Sequence, residues 1–221
     1  MKILYVIILL SLNGVKFGFG QTKMIVEDEV WEAFTLQEFS TKISKVDDLP
    51  KDIQRRIKAI IAEVFWDLKD SIRFFGAQVI DVKSAVKHVN RPSILMSERK
   101  PLIPKYELSF SLQDTTIGII RYYVLIHLDD YGQILDLNWP IGYGGSKRNL
   151  LDRRLIYEFA SREVTKRGFS YDNYSVIFKY NEEYAQLFWT FNFFKNNNEE
   201  GGYTVTIPWS ELKIIESSSE Q

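Results

Sequence analysis

The sequence predicts an α+β protein made of two tandem units, each one helix packed on an antiparallel β-meander. Three observations predict it. Apolar residues recur at steps of three and four over 53–72, and Leu151, Leu155, Phe159 and Val164 lie on one side of a second helix, which is the helical period. Elsewhere the period drops to two, as in Tyr106, Leu108, Phe110 and Leu112, which marks half-buried strands. Short Asp- and Gly-bearing segments such as Asp129-Asp130-Tyr131-Gly132 join the strands, so neighbours fold back on one another. The layout that results is a leader over 1–20, a first unit over 21–140, a second over 146–216 and a frayed tail over 217–221.

The leader fixes the compartment. Met1 and Lys2 precede a continuous apolar run from Ile3 to Leu10, and Gly18-Phe19-Gly20 puts small residues before Gln21. This is the pattern of a cleaved secretory signal. The run is about ten residues, short of the roughly twenty that a bilayer-spanning anchor needs. The mature chain is expected to begin at Gln21, in the periplasm or outside the cell, with no membrane span of its own.

In the first unit, Val30 to Phe39 could hold a strand. Asp48-Leu49-Pro50 opens a helix, with Asp48 near the cap and Pro50 in the first turn. Ile53, Ile57, Ile60, Ile61, Val64, Leu68 and Ile72 then make one stripe, with Gly76 as the stop. Ile57 and Ile61 are expected in the core, and Arg55 and Lys58 on the polar side. Residues 89–104, with Pro92, Pro101 and Pro104, read as an irregular loop. Strands follow from Tyr106, over Ile117–Leu128 and over Gln133–Trp139, ended by Pro140. Gly142 to Ser146 reads as the linker. The second helix is expected from about Lys147 to Arg167, closed by Gly168. Strands are expected again over Tyr174–Tyr180, Ala185–Phe194 and Tyr203–Trp209, continuing into Leu212–Ile215. Tyr122, Val124, Ile126 and Ile134 are echoed at one constant offset by Tyr203, Val205, Ile207 and Ile215.

Leu49-Pro50 with Ile53 and Ile57, and Tyr122 through Asp129-Asp130-Tyr131-Gly132-Gln133-Ile134, resemble the PepSY and PepSY-like families. Those families pair a helix often opened by Leu-Pro with strands that end in an apolar–Asp–turn–Gly–x–Ile segment. The second half departs from this pattern, because Pro208 to Ile214 lacks the Asp and the Gly. The resemblance implies small cystatin-like modules in exported bacterial proteins, which bind or inhibit and bring no catalytic residues.

Composition narrows the chemistry. The chain has no Cys and only two His, His88 and His127. That excludes a thiol nucleophile and a thiolate metal site, and it leaves triads and zinc sites thinly supported. The net charge of −1 becomes −3 when Lys2 and Lys16 leave with the signal. No basic excess points to nucleic acid, and no cofactor is expected. Asp129-Asp130 could suggest calcium, but the loop is too short for six to eight oxygens, and a hairpin turn accounts for it better. Gly142-Tyr143-Gly144-Gly145-Ser146-Lys147 lacks phosphate-loop spacing. His127 alternates with Ile126 and Leu128, so it is expected on the opposite, solvent-facing side.

Two features are candidates for a partner surface. Trp189, Phe191 and Phe193 form an aromatic row on one strand face, with Phe188 and Phe194 on the other. If such a row is exposed it marks a binding surface; packing of the first half against it buries both faces. Arg148, Arg153 and Arg154, with Lys147, cluster at the start of the second helix, where cations oppose the helix dipole. They fit an anionic partner or a solvated basic face. The function expected is an exported, non-enzymatic binding or inhibitor-like protein with a protein or peptide partner. The alternative is a small-ligand carrier with a pocket between helix and curved sheet. An enzyme would have to rely on carboxylates such as Asp129 or Glu183, and nothing in the sequence selects them.

Overall fold

A computed structural model describes residues 36–89, 103–195 and 202–219. The leader, the Val30–Thr35 part of the first expected strand, most of the 89–104 loop and the 196–201 hairpin loop lie outside the described residues. The fold is α+β. Its elements run β1 (Ser40–Ile43), α1 (Lys51–Val64), β2 (Ile72–Ile80), α2 (Val82–Val89), β3 (Tyr106–Asp114), β4 (Ile119–Leu128), β5 (Ile134–Leu137), α3 (Arg153–Lys166), β6 (Asn173–Asn181), β7 (Gln186–Phe194), β8 (Tyr203–Pro208) and β9 (Glu216–Ser219). Strands β1 to β5 form one sheet in sequence order and β6 to β9 a second. All pairings are antiparallel.

Helix α1 buries Ile53, Ile57, Ile60 and Val64, the stripe that the period predicts. Ile61 is only half-buried, at the margin of that stripe. The cap differs from the expectation. Pro50 stands at the N-cap, and no side chain bonds the free N–H groups there. Buried Gln54 instead ties the entry down, with Nε2 donating to the carbonyls of Leu49 at 2.7 Å and Asp47 at 3.0 Å.

The helix stops at Val64, well before Gly76. Phe65 and Leu68 are buried from a turn that follows the helix, with Leu68 N–H bonded to the Phe65 carbonyl and Ser71 N–H to that of Leu68. Ile72 begins a strand that pairs with β3. Steps of four from Val64 to Leu68 to Ile72 continue the helical period by coincidence, while Asp67, Asp70 and Ser71 favour a turn and Ile72 to Phe75 favour a strand. Gly76 sits at a β-bulge, where the register moves from Phe74 opposite Phe110 to Gly76 opposite Ser109.

Helix α2 is an addition to the expected elements. Asp81 caps it, accepting from the Ser84 N–H at 3.3 Å and the Ser84 hydroxyl at 2.7 Å. Ile80 and Ala85, both fully buried, lie outside the main core cluster. The main core runs through both sheets: Leu108, Val124 and Ile126 of the first sheet belong to one cluster with Trp139, Val176, Phe191 and Ile207. Helix α3 contributes Ile156, Ala160 and Val164 to it, while Leu155 of the expected apolar side is exposed and Leu151 precedes the helix. The expected Leu212–Ile215 strand is replaced by β9, which takes Glu216 and three residues of the supposed tail. It pairs with Tyr203–Thr206, and the Arg167 guanidinium bonds the Ser217 hydroxyl at 2.9 Å. No described helix is long and apolar enough to cross a membrane.

Candidate functional site

The segment between the two sheets is a pinned seam and not a free linker. Residues 142–145 and 147–149 form 3-10 turns, and Gly145 and Ser146 are buried. The Asp67 carboxylate accepts from the Ser146 hydroxyl at 2.8 Å and the Lys147 N–H at 2.6 Å. Lys147 Nζ bonds Asp114 Oδ2 at 2.6 Å. Burial pushes the Asp114 carboxyl up, but bonds from Lys147, Thr116 and Ser71 outweigh it and hold the group below its ordinary range. Behind these polar ties the Trp139 and Trp209 rings meet edge to face at 5.1 Å. Gly145 is needed at this point, because a Cβ there would come within 2.7 Å of Trp139 Nε1 and collide with the Pro140 carbonyl. Gly118, at φ +84°, lets the β3–β4 turn meet the first residue of α3: a Cβ would stand 2.5 Å from Arg153 Cβ.

This packing leaves a cleft of about 600 Å³ lined by Pro140, Arg148, Leu150, Tyr184, Gln186, Trp209 and their neighbours. One wall is the seam, and the other is the β6–β7 turn and the end of β8. Gln186 Nε2 donates to Ser210 Oγ at 2.7 Å. The Arg148 guanidinium lies over the Trp66 ring at 5.1 Å from its centroid. Beside the cleft wall Ala185 holds φ +47°, a left-handed conformation that an L residue with a Cβ adopts at a cost. The turn is closed by the Ala185 N–H on the Glu182 carbonyl at 3.2 Å and the Tyr184 N–H on Asn181 Oδ1 at 3.2 Å. It presents Tyr184 half-exposed.

The residues singled out in the sequence separate into three groups. Trp189, Phe191 and Phe193 face inward and are buried, packed on Phe178, Tyr157 and one another. They are core and do not form a partner surface. On the opposite face Phe188 is also buried, against Tyr184. The basic cluster is dispersed, because α3 starts at Arg153 and not at Lys147. Asp152 caps it, accepting from the Arg154 N–H at 2.8 Å and pairing with the Arg154 guanidinium at 3.1 Å. Arg153 packs over Gly118. Of the basic residues, Arg148 alone lines the cleft. Asp129 is spent on its hairpin turn, with Oδ1 accepting from the N–H groups of Tyr131 and Gln133 at 2.8 Å. Glu183 is exposed in the β6–β7 turn. Among the described residues no three His, Cys, Asp or Glu side chains are placed to hold a metal.

A second polar arrangement escaped the sequence reading. Lys42, Gln78, Glu107, His127 and Asp136 stand opposite one another in register, one from each strand of the first sheet. His127 points away from the face of Ile126 and Leu128, as its alternation requires, but it is not solvated: its side chain is 14 % exposed, and Nδ1 lies 3.4 Å from Asp136 Oδ2. That bond holds the Asp136 carboxyl below its ordinary range. Burial pushes the Glu107 carboxyl up, against the opposing pull of His127. Among the described residues no hydroxyl bonds His127. The sequence signal for this row is strand alternation, but the register that aligns five strands is a long-range property.

No family model, curated protein or solved structure matches this chain.

Proposed function

We propose that this chain is an exported, non-enzymatic binding or inhibitor-like protein, and that it holds a protein or peptide partner in the cleft between its two sheets. The observation that carries the reading is the lining of that cleft. Gln186, Ser210 and Asn149 offer amide and hydroxyl groups suited to a peptide backbone, while Leu150, Leu151, Tyr184 and Trp209 offer apolar walls. Tyr184 is displayed by a turn with left-handed Ala185, and such local strain is found most often at binding and catalytic positions. Export rests on residues 1–20. The order of helix then meander, with Leu49-Pro50 and the Asp129–Ile134 turn, supports a likeness to cystatin-like PepSY modules. A small-ligand carrier is the second reading, and the same cleft volume favours it; its pocket would lie at the seam and not between helix and sheet.

The test uses the mature chain, beginning at Gln21, immobilised and exposed to the exported protein fraction of its own source. A Tyr184→Ala/Gln186→Ala double variant serves as the comparison. We expect a partner retained by the parent chain and lost from the variant, with both chains melting at the same denaturant concentration. Equal retention by both chains, or none by either, contradicts a partner site at the cleft.

A further inference from the structure

We propose that the cleft recognises one acidic side chain, Asp or Glu, within an otherwise neutral peptide segment, and that Arg148 is the residue that reads it. The inference rests on the reading of the cleft as a peptide site and adds the chemistry of the bound segment.

The argument begins with where the cations of the seam are spent. Lys147 is tied to Asp114, and Arg154 to Asp152. Arg148 forms no ion pair among the described residues. Its backbone N–H goes to Ser146 Oγ at 3.3 Å, and its guanidinium carbon lies 5.1 Å from the centre of the Trp66 ring. A cation–π contact of that kind restrains the group and leaves its N–H donors able to bond a carboxylate. Arg148 is also the one charged side chain in the lining, and no acid shares the cleft with it. Arg148 is exposed at the cleft, restrained by a ring contact and without a counter-ion, which makes it complementary to an anionic ligand group.

The surroundings limit that ligand to a single charge. Glu182 and Glu183 stand in the turn that carries Tyr184, and Glu211 follows Ser210. All three are exposed, and none is within ion-pair distance of Arg148. They adjoin cleft residues in the chain, so a segment that carries several acids meets like charge. Residues on either side of the acidic one therefore meet amides and apolar walls: Asn149, whose Nδ2 is already spent on the Tyr143 carbonyl at 2.6 Å, Gln186 and Ser210, and Leu150 with Tyr184. The amide and hydroxyl groups suit main-chain N–H and C=O, which is why a peptide fits better than a free small acid.

A random heptapeptide display library is the probe, panned against the full mature chain. The enriched sequences should carry one Asp or Glu each, without acidic runs. Arg148→Gln should weaken the enriched peptides about tenfold to a hundredfold, because a charge-assisted bond is lost. Arg148→Lys should recover part of the affinity, and affinity should fall as salt is raised. Denaturant midpoints of both variants establish that the fold is kept. Neutral enriched sequences that bind Arg148→Gln as well as the parent would overturn the acid inference and leave the peptide site standing. No enrichment over the Tyr184→Ala/Gln186→Ala chain would overturn both. Displacement of the peptides by free glutamate at equal concentration would assign the cleft to a small acid and overturn the peptide proposal.

Discussion

The two halves of the molecule both set a helix before antiparallel strands, an order that β1 and α2 interrupt in the first half, and they use different core materials. In each, a helix precedes a four-strand antiparallel meander: α1 with β2 to β5, and α3 with β6 to β9. The first half is mostly aliphatic, with α1 supplying Ile53, Ile57 and Ile60 against Leu108, Val124 and Ile126. The second is aromatic, with Tyr157 of α3 against Phe191 and Phe193 and with Phe178 against Trp189. Three of the four pairs in the faint sequence echo fall on equivalent strands, while the fourth does not, because Ile134 is in β5 and Ile215 lies just before β9. Tyr122, Val124 and Ile126 lie on β4, Tyr203, Val205 and Ile207 on β8, and each is the third strand after its helix. All six are buried. Their partners differ: the Tyr122 hydroxyl donates to the Asn138 carbonyl at 2.6 Å, while the Tyr203 hydroxyl accepts from Arg167 at 2.6 Å. The lesson is that alternation sets which face is inside, while the partner across the core sets the chemistry at each position.

What joins the halves should therefore be more sensitive than what distinguishes them. Trp209 is the sharpest point of contact, buried against Trp139 and Phe178. Trp209→Ala should cost about 3–5 kcal/mol, read in a denaturant melt. The loss should appear in one shared transition, because the core is continuous across the seam. Two separate transitions would mean that the halves fold independently.

Next in size is the polar tie. Asp114→Asn leaves Lys147 without its counter-charge and should cost about 2 kcal/mol at neutral pH. The parent has the pH dependence of a depressed carboxylate. Its contribution is complete above the unfolded value near 3.9 and is lost as pH falls through the lower folded value. In acid the variant and the parent should converge in stability. A gap that stays constant down to the folded value would remove the Lys147 bond as the cause.

The smallest effect has the opposite sign. Ala185→Gly relieves a left-handed residue and should stabilise by up to about 1 kcal/mol. If it also loosens Tyr184, partner binding should weaken while the melt improves. A variant that is both less stable and equally competent would show that φ +47° carries no strain.

Much of this was legible in the sequence where the signal is local. The α1 stripe, the strands from Tyr106 to Leu128, the Asp129–Gly132 turn and the sharing of one face by Trp189, Phe191 and Phe193 follow from period and turn chemistry, whereas the burial of that face does not. The end of α1 was not, because Leu68 and Ile72 keep a helical spacing that tertiary pairing overrides. Helix α2 has a local signal in Asp81 with Ser84 three residues on, but it is short and runs into the Pro-bearing segment. The site was the least legible. Gly142 to Ser146 has the composition of a linker, and only Asp67, far off in sequence, turns it into a wall. Arg148 looked like one of four equivalent cations until Asp114 and Asp152 claimed two of them.

Hydrogen exchange on the chain from Gln21 onward, with and without a saturating enriched heptapeptide, tests the central claim most directly. The account predicts new protection confined to the cleft segments around residues 148–151, 184–187 and 209–210. Protection instead on the β3 and β4 face around Glu107 and His127, or none anywhere, would contradict it.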